Sequence, residues 1–458
     1  MKKRNIFAGV AAVAMVAGMV SALSGAVSAA GVQYSTNMTT PDNLKTTTLD
    51  KYLVMDADAN VPNASFTFTV APGTAVAADT TNGKLAVLAG VGTPSLKIGE
   101  GTAETDGNID MTFVTTDTTT AEASTPTNDS PVFVTTGGGK TTDEKYVKKT
   151  LALDFSGVVF PEPGVYRYII KEEGNNQGIT NGYVNATTTE TTRTLDVYVE
   201  HSGTVESGEE AGKPQLKIAN YVMYSGTVTG APNKEGSASA TSPNNGAEVA
   251  DATKSRSITN VYSSQDLTFG KIVTGNQGSR DKYFDFTVTI SNAVPGTVYT
   301  VDITNADATS GTTVSTIEAN QGKTNETTIT VPAAAEGETK SSIATHFYLQ
   351  NNQYITIKGL AKDTTYTVTE NAEDYASTAT GTEESSFTIG SVTFDDSTSG
   401  TIAGEDITTG FTNDRSGVVP TGIMLRVAAP SGIGLTAFGG IVYLAAKRRK
   451  DEEDEDEE

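Results

Sequence analysis

Between residues 31 and 416 no stretch keeps the three-and-four spacing of apolar residues that an amphipathic helix needs. The same region carries short runs in which apolar and polar residues alternate, set apart by Gly, Asn, Asp and Pro. Phe66-Thr67-Phe68-Thr69-Val70, Tyr166-Arg167-Tyr168-Ile169-Ile170, Leu195-Asp196-Val197-Tyr198-Val199 and Tyr366-Thr367-Val368 are examples. A period of two, in segments rich in Thr, Val, Ile, Tyr and Phe, suits strands with one face buried and the other wet. Many such strands separated by turn residues predict an all-β chain built as sandwiches.

The pattern repeats. Leu49-Asp50-Lys51-Tyr52-Leu53 is followed by the Phe66–Val70 run, and Phe269-Gly270-Lys271-Ile272-Val273 is followed by Phe284-Asp285-Phe286-Thr287-Val288. Each unit later shows Tyr-x-(Ile/Val)-x-Glu, at Tyr168 to Glu172 and Tyr366 to Glu370, and each closes on a Thr-Asn pair, Thr259-Asn260 and Thr412-Asn413. A repeat of this length predicts two related domains, 31–263 and 264–416, as tandem Ig-like, Greek-key β-sandwiches. The first is longer, and its polar stretches Gly101–Asp143 and Gly226–Ser257 read as surface loops.

Six polar residues break the alternation in a consistent way. Lys51 shares the parity of Leu49 and Leu53, and Lys271 that of Leu267, Phe269 and Val273. Glu172 follows Tyr166, Tyr168 and Ile170; Glu370 follows Tyr366 and Val368; Asn260 goes with Ile258 and Tyr262, and Asn413 with Phe411. Glu173 has the outward parity. An unpaired buried ion costs several kcal/mol, so these groups need partners. A Lys–Glu ion pair would serve, and so would edge positions open to water. A third answer is covalent. Desolvation lowers a lysine's pKa and frees a nucleophilic amine, which can attack the Asn carboxamide. A buried, protonated Glu would polarise the carbonyl and carry protons to departing ammonia, leaving an uncharged Lys–Asn isopeptide bond. A bond of this kind that closes a long loop restricts the unfolded chain by on the order of 5 kcal/mol, by analogy with disulfides.

Both ends look like addresses. Lys2, Lys3 and Arg4 precede the apolar run Ile6–Leu23, and Val27-Ser28-Ala29-Ala30 offers a cleavage site after Ala29 or Ala30, which together predict a signal peptide over 1–30. Near the other end, the uncharged Ala428–Ala446 has nearly the length of a transmembrane helix. Lys447-Arg448-Arg449-Lys450 and the acidic Asp451–Glu458 follow, so the upstream chain is expected outside the cell. Val418-Val419-Pro420-Thr421-Gly422 stands just before the span.

Composition removes other classes. The chain has no Cys, so disulfides, thiolate metal sites and Cys nucleophiles are excluded. Its two His, His201 and His346, lie far apart and outside any nucleophile or zinc motif. A net charge of −23, unchanged by trimming to 31–421, argues against nucleic acid. Gly137-Gly138-Gly139-Lys140 lacks the spacing of a phosphate loop, and Glu209-Glu210 and Glu383-Glu384 read as solvated loops. No cofactor or metal is expected, and no enzymatic turnover beyond one self-linking event per domain.

The order Pro-Thr-Gly, apolar span, basic stop resembles the cell-wall sorting signals that sortases cut between Thr and Gly, here Thr421 and Gly422. Val418 and Val419 stand where the standard motif has Leu and Pro, similar to the Val-Pro-Thr-Gly variant of streptococcal T-antigen-type major pilins. The order Lys, Glu, Asn within each domain resembles the isopeptide-linkage domains of the same Gram-positive backbone pilins. The resemblance implies two linkage centres, Lys51–Glu172–Asn260 and Lys271–Glu370–Asn413, with Glu172 and Glu370 as proton shuttles. It further implies a secreted, wall-anchored subunit joined head to tail to copies of itself by a pilus-specific sortase. Peptidoglycan and tip or basal pilins would be further partners, and the membrane would be touched only by the C-terminal span. The acceptor lysine is expected shortly before the linking Asn, which selects Lys254 and then Lys234. The competing reading is a wall-anchored monomeric adhesin that uses the same domains as a stalk.

Overall fold

The computed structural model describes residues 32–121, 144–173, 179–181, 191–232, 252–306, 324–382 and 384–417. The segment read as a signal peptide, Lys234, Val418–Gly422 and the apolar C-terminal run lie outside these residues. Among the described residues there is no α-helix, and none is available to cross a membrane.

Nine strands carry the first sandwich: β1 (Thr46–Asp56), β2 (Ala64–Pro72), β3 (Asn108–Phe113), β4 (Glu144–Asp154), β5 (Gly164–Glu173), β6 (Ile179–Asn181), β7 (Thr192–Thr204), β8 (Pro214–Ser225) and β9 (Ser257–Tyr262). One sheet runs from the short Ser95–Ile98 strand through β4, β1 and β9 to β6; the other runs β8-β7-β5-β2-β3. Eight strands carry the second: β10 (Ser264–Thr274), β11 (Phe284–Ala293), β12 (Val298–Asn305), β13 (Ser341–Leu349), β14 (Gln353–Ala361), β15 (Thr365–Asn371), β16 (Ala376–Ala379) and β17 (Ile407–Asp414). Its sheets are β12-β14-β10-β17-β16, with Thr328–Thr330 beyond β12, and β13-β11-β15, with Ser399–Thr401 beyond β15.

Each sandwich has its own core, because the apolar parity of every long strand turns inward. Leu49, Leu53, Phe66, Phe68, Tyr168, Ile170, Leu195 and Val197 meet in the first, and Leu267, Phe269, Phe284, Phe286, Val288 and Ile355 in the second. In both, the opening strand lies mid-sheet and pairs in parallel with the closing strand: β1 with β9, and β10 with β17. Hairpins cannot join parallel neighbours, so the intervening chain must cross to the second sheet and return.

The stretch read as a loop over 101–143 contains a core strand. Met111 and Phe113 of β3 are fully buried, and Phe113 meets Phe66 edge-on at 5.8 Å. Ile109, Met111 and Phe113 keep the period of two, but as a single short run set in a long polar stretch. The other expected loop, from Gly226, turns back over the outer face of the second sheet, where Ala231 packs with Val87 and Val165. The first unit also gains size from the long β7–β8 hairpin; among the described residues of the second, the place beside β15 is taken by the short strand Ser399–Thr401.

Under that loop lies an ion pair the sequence reading missed. Arg167 Nε and Nη2 donate to Asp196 Oδ1 and Oδ2 at 2.7 and 2.8 Å, and Nη1 donates to Val228 O and Gly230 O. Both residues are buried on the outward parity of β5 and β7. Burial raises the Asp196 pKa, against the pull of Arg167.

The two sandwiches are joined with only Ser263 between β9 and β10. Across the junction, Tyr262 Oη donates to Gly359 O at 2.8 Å, Asn60 Nδ2 to Val298 O at 3.0 Å, and Lys358 lies 2.8 Å from Asp58. Gly359 has φ +78°, and a Cβ there would come within 3.3 Å of Ala59 Cβ, so both backbone and space favour glycine.

Breaking the Arg167–Asp196 pair leaves a guanidinium buried without its carboxylate. Asp196→Ala is expected to destabilise the first unit by about 3–5 kcal/mol in calorimetry. Glu100→Ala, at an exposed pair with Lys97, should leave the transition where it is.

Candidate self-linking centres

The first centre sits between the sheets of the first unit. Lys51 of β1 and Asn260 of β9 are 0% exposed, and Glu172 of β5 reaches them from the opposite sheet. Lys51 Nζ donates to Asn260 Oδ1 and lies 2.5 Å from Glu172 Oε2. The Phe66 ring closes the site from below, its centroid 4.1 Å from Nζ. Glu172 Oε1 is buried and accepts no hydrogen bond. Glu173, the next residue, points to solvent.

The second centre repeats the first. Lys271 of β10 and Asn413 of β17 are 0% exposed, and Lys271 Nζ lies 2.7 Å from Glu370 Oε1 on β15. Asn413 Nδ2 donates to the same Oε1 at 3.0 Å, so one carboxylate oxygen stands beside both nitrogens. The Phe284 ring lies 4.5 Å from Nζ.

Register explains why the two agree. Asn260 pairs with Leu53 and Asn413 with Val273, each two residues beyond the lysine of the parallel neighbour. An offset of two keeps Lys and Asn on one face and lets the long lysine lean along the strand to the amide. On the facing sheet, Glu172 pairs with Phe68 and Glu370 with Phe286, each two residues past the ring beneath the amine.

Burial lowers the pKa of Lys51 from 10.5 to about 8, although Glu172 pulls it upward and Arg193 adds to the lowering. Lys271 falls equally, to about 8, by burial against the pull of Glu370. Each site therefore holds an amine that can shed its proton near neutrality, a carboxyl to take it, and a carboxamide within reach. That set can perform acyl transfer from nitrogen to nitrogen.

Four contributors were not singled out from sequence. Phe66 and Phe284 served there only as strand markers. Arg193, buried on the core parity of β7 with Leu195 and Val197, carried the same signal as Lys51. Ser377, exposed on the short β16, donates from Oγ to Glu370 Oε2 at 3.0 Å and pairs in register with Asn413. Nothing in its local sequence marks it.

The other sequence candidates lie away from these centres. Lys254 is half-buried, and its backbone bridges to Tyr224 at the edge of β8. His346 is exposed, 2.9 Å from Asp285, and His201 is exposed on β7.

A family model described as a domain of unknown function (DUF7601) matches residues 265–415, which spans β10 to β17. No curated protein sequence matches the chain. Among solved structures, the chain is similar to the major pilin of Streptococcus pyogenes, with 20% identity over 81% of this chain and 99% of that one and a TM-score of 0.41. The T3.2 major pilin of the same organism gives 19% identity, the same coverage and a TM-score of 0.38. A pilus-presented adhesin gives 14% identity over 72% of this chain and 96% of that one, with a TM-score of 0.23.

Asn260→Ala removes the carboxamide and keeps Lys51 a free amine. With a folded pKa of about 8 against 10.5 unfolded, the unfolded chain binds more protons between those values. Stability of this variant should therefore rise as pH climbs from about 8 towards 10.5, with the full penalty present below 8. The gain should be on the order of 3 kcal/mol, read from urea midpoints along the pH series.

Proposed function

We propose that the chain is a structural backbone subunit of a Gram-positive surface fibre, stiffened by a Lys51–Asn260 and a Lys271–Asn413 isopeptide bond. The observation that carries this reading is the pair of matching buried centres, each with Lys and Asn on parallel first and last strands and Glu opposite. In each, the neutral amine attacks the Asn Cγ, the Nζ–Cγ bond forms and the Cγ–Nδ2 bond breaks. Glu172 or Glu370 moves a proton from Nζ to the departing Nδ2, which leaves as ammonia. The position of Glu370 Oε1 beside both nitrogens suits that transfer. Each centre acts once, so this is maturation and not turnover.

The units 31–263 and 264–416 act as two links of a shaft. Tension passes from the first strand of each unit to its last strand through a covalent bridge, and the sheet ladders are spared. This gives a chain without cysteines the strength that disulfides supply elsewhere.

At the ends, the Val418–Gly422 motif is cut by a dedicated sortase, and Thr421 is passed to a lysine of the next subunit. Lys254 is the first choice for that acceptor. The product is a head-to-tail polymer anchored to peptidoglycan, with tip and basal pilins as further partners. A monomeric wall-bound adhesin would share the fold and not the polymer.

Intact mass spectrometry of the mature chain is expected to show the loss of two ammonia molecules. Lys51→Ala or Glu172→Ala should abolish the loss at the first centre alone, and Lys271→Ala or Glu370→Ala the loss at the second. An unshifted wild-type mass would overturn the covalent reading, and wall extracts without an SDS-resistant ladder would favour the adhesin.

A further inference from the structure

The first centre contains a second cation with no counterpart at the second centre among the described residues. Arg193 is 3% exposed and stands on the inward parity of β7 beside Leu195 and Val197. Its Nη1 donates to Thr192 O at 2.8 Å, and its Nη2 crosses the sandwich to donate to Ser257 O. Ser257 opens β9, three residues before Asn260, and pairs in register with Asp50, the neighbour of Lys51. Arg193 itself pairs with Ile170 of β5, two residues before Glu172, and Thr191 O accepts from the Glu172 backbone N–H at 2.7 Å. The guanidinium thus ties β7, which is paired with the Glu172 strand, to β9, which carries Asn260.

The charges around Lys51 come from three strands. Glu172 faces it from β5 and Arg193 from β7. Lys149, its partner on β4, turns aside to Asp117 at 2.8 Å and to Thr112 O at 2.6 Å. Around Lys271, Glu370 is the charge that acts among the described residues. The difference follows from topology: Arg193 arrives on the long β7 beside β5, whereas among the described residues the place beside β15 holds only the three-residue strand Ser399–Thr401.

We propose that Arg193 is a positioning residue for the first centre: it pins the Asn260 strand to the opposite sheet through Ser257 O, and its permanent charge adds to burial in favouring the neutral Lys51 nitrogen that attacks. The inference rests on the self-linking reading. With Arg193 charged, a protonated Lys51 would be a second positive charge in the same closed site, which adds to the cost of burying it. Glu172 then works as the base that receives the Nζ proton as the Nζ–Cγ bond forms and hands it to Nδ2 as ammonia leaves. Arg193 keeps its own protons throughout. At the second centre the amine and Glu370 settle one proton between them with no third charge.

The test follows linkage in the full chain, collected unfolded and unlinked in denaturant and diluted into buffers from acid to alkaline. Intact mass and peptide mapping time the ammonia loss at each centre. Arg193→Gln is expected to slow the first centre on the order of tenfold at neutral pH and to move its rate profile about one pH unit to the alkaline side. The second centre in the same molecules should keep its rate. Arg193→Lys, which retains the charge and gives up the forked donor set, should hold the profile near its wild-type position. An unchanged first-centre profile in Arg193→Gln overturns the proposal, and so does uniform slowing at every pH. Failure of both variants to link the first centre at any pH overturns it as well, by reducing Arg193 to core packing. Wild-type chain that never loses ammonia at the first centre overturns the self-linking reading instead.

Discussion

A primary amine sealed between two sheets, with a carboxyl on one side and a carboxamide on the other, is the constraint around which each half of this protein is arranged. Lys51 and Lys271 are wholly removed from water, at a cost of several kcal/mol if either stayed an unpaired cation. Neighbouring carboxyls at 2.5 and 2.7 Å offset part of that cost. Even so, burial prevails and both amines titrate well below the ordinary lysine range. A core that brings a lysine's pKa down to about 8 makes its free amine far more accessible than on the surface, and the aromatic rings beneath each nitrogen help keep it dry.

The arrangement depends on the parallel pairing of the first and last strands. With those strands as neighbours in mid-sheet, the lysine and asparagine ends of each unit are brought together across most of its length in sequence. The two-residue offset decides which side chains meet. An offset of one would turn the asparagine to the opposite face, since side chains alternate. The same offset in both units, and the same placement of each glutamate opposite a phenylalanine, make the second centre a structural copy of the first. The short junction at Ser263 then sets the copies in series.

The copies differ where the scaffolds differ. The long hairpin of the first unit supplies Arg193 inside the core and Asp196 outside it, so one pair of strands contributes to the linking site and to a buried ion pair on the opposite face. The second unit has instead an exposed serine, Ser377, hydrogen-bonded to its glutamate from the edge strand. One centre is balanced by an internal cation, and the other touches the surface through a hydroxyl.

Period-two alternation determined by itself that the chain is all-β, which faces its strands bury, and that Lys51, Lys271, Glu172, Glu370, Asn260 and Asn413 carry the parity of the core. Parity is a local property, written into residues i and i+2, and for that reason it can be read without a structure. It extended even to Arg193, whose neighbours Leu195 and Val197 give the same sign. It was overlooked at β3, where Ile109, Met111 and Phe113 alternate inside a long polar stretch, and it gave no sign at Ser377, which is exposed and polar. Only the tertiary structure decided which strands lie side by side, at what offset, and which buried charges come within reach of one another. Those are outcomes of pairing between segments far apart in the chain, settled when two apolar faces close on each other and not by any spacing within one strand.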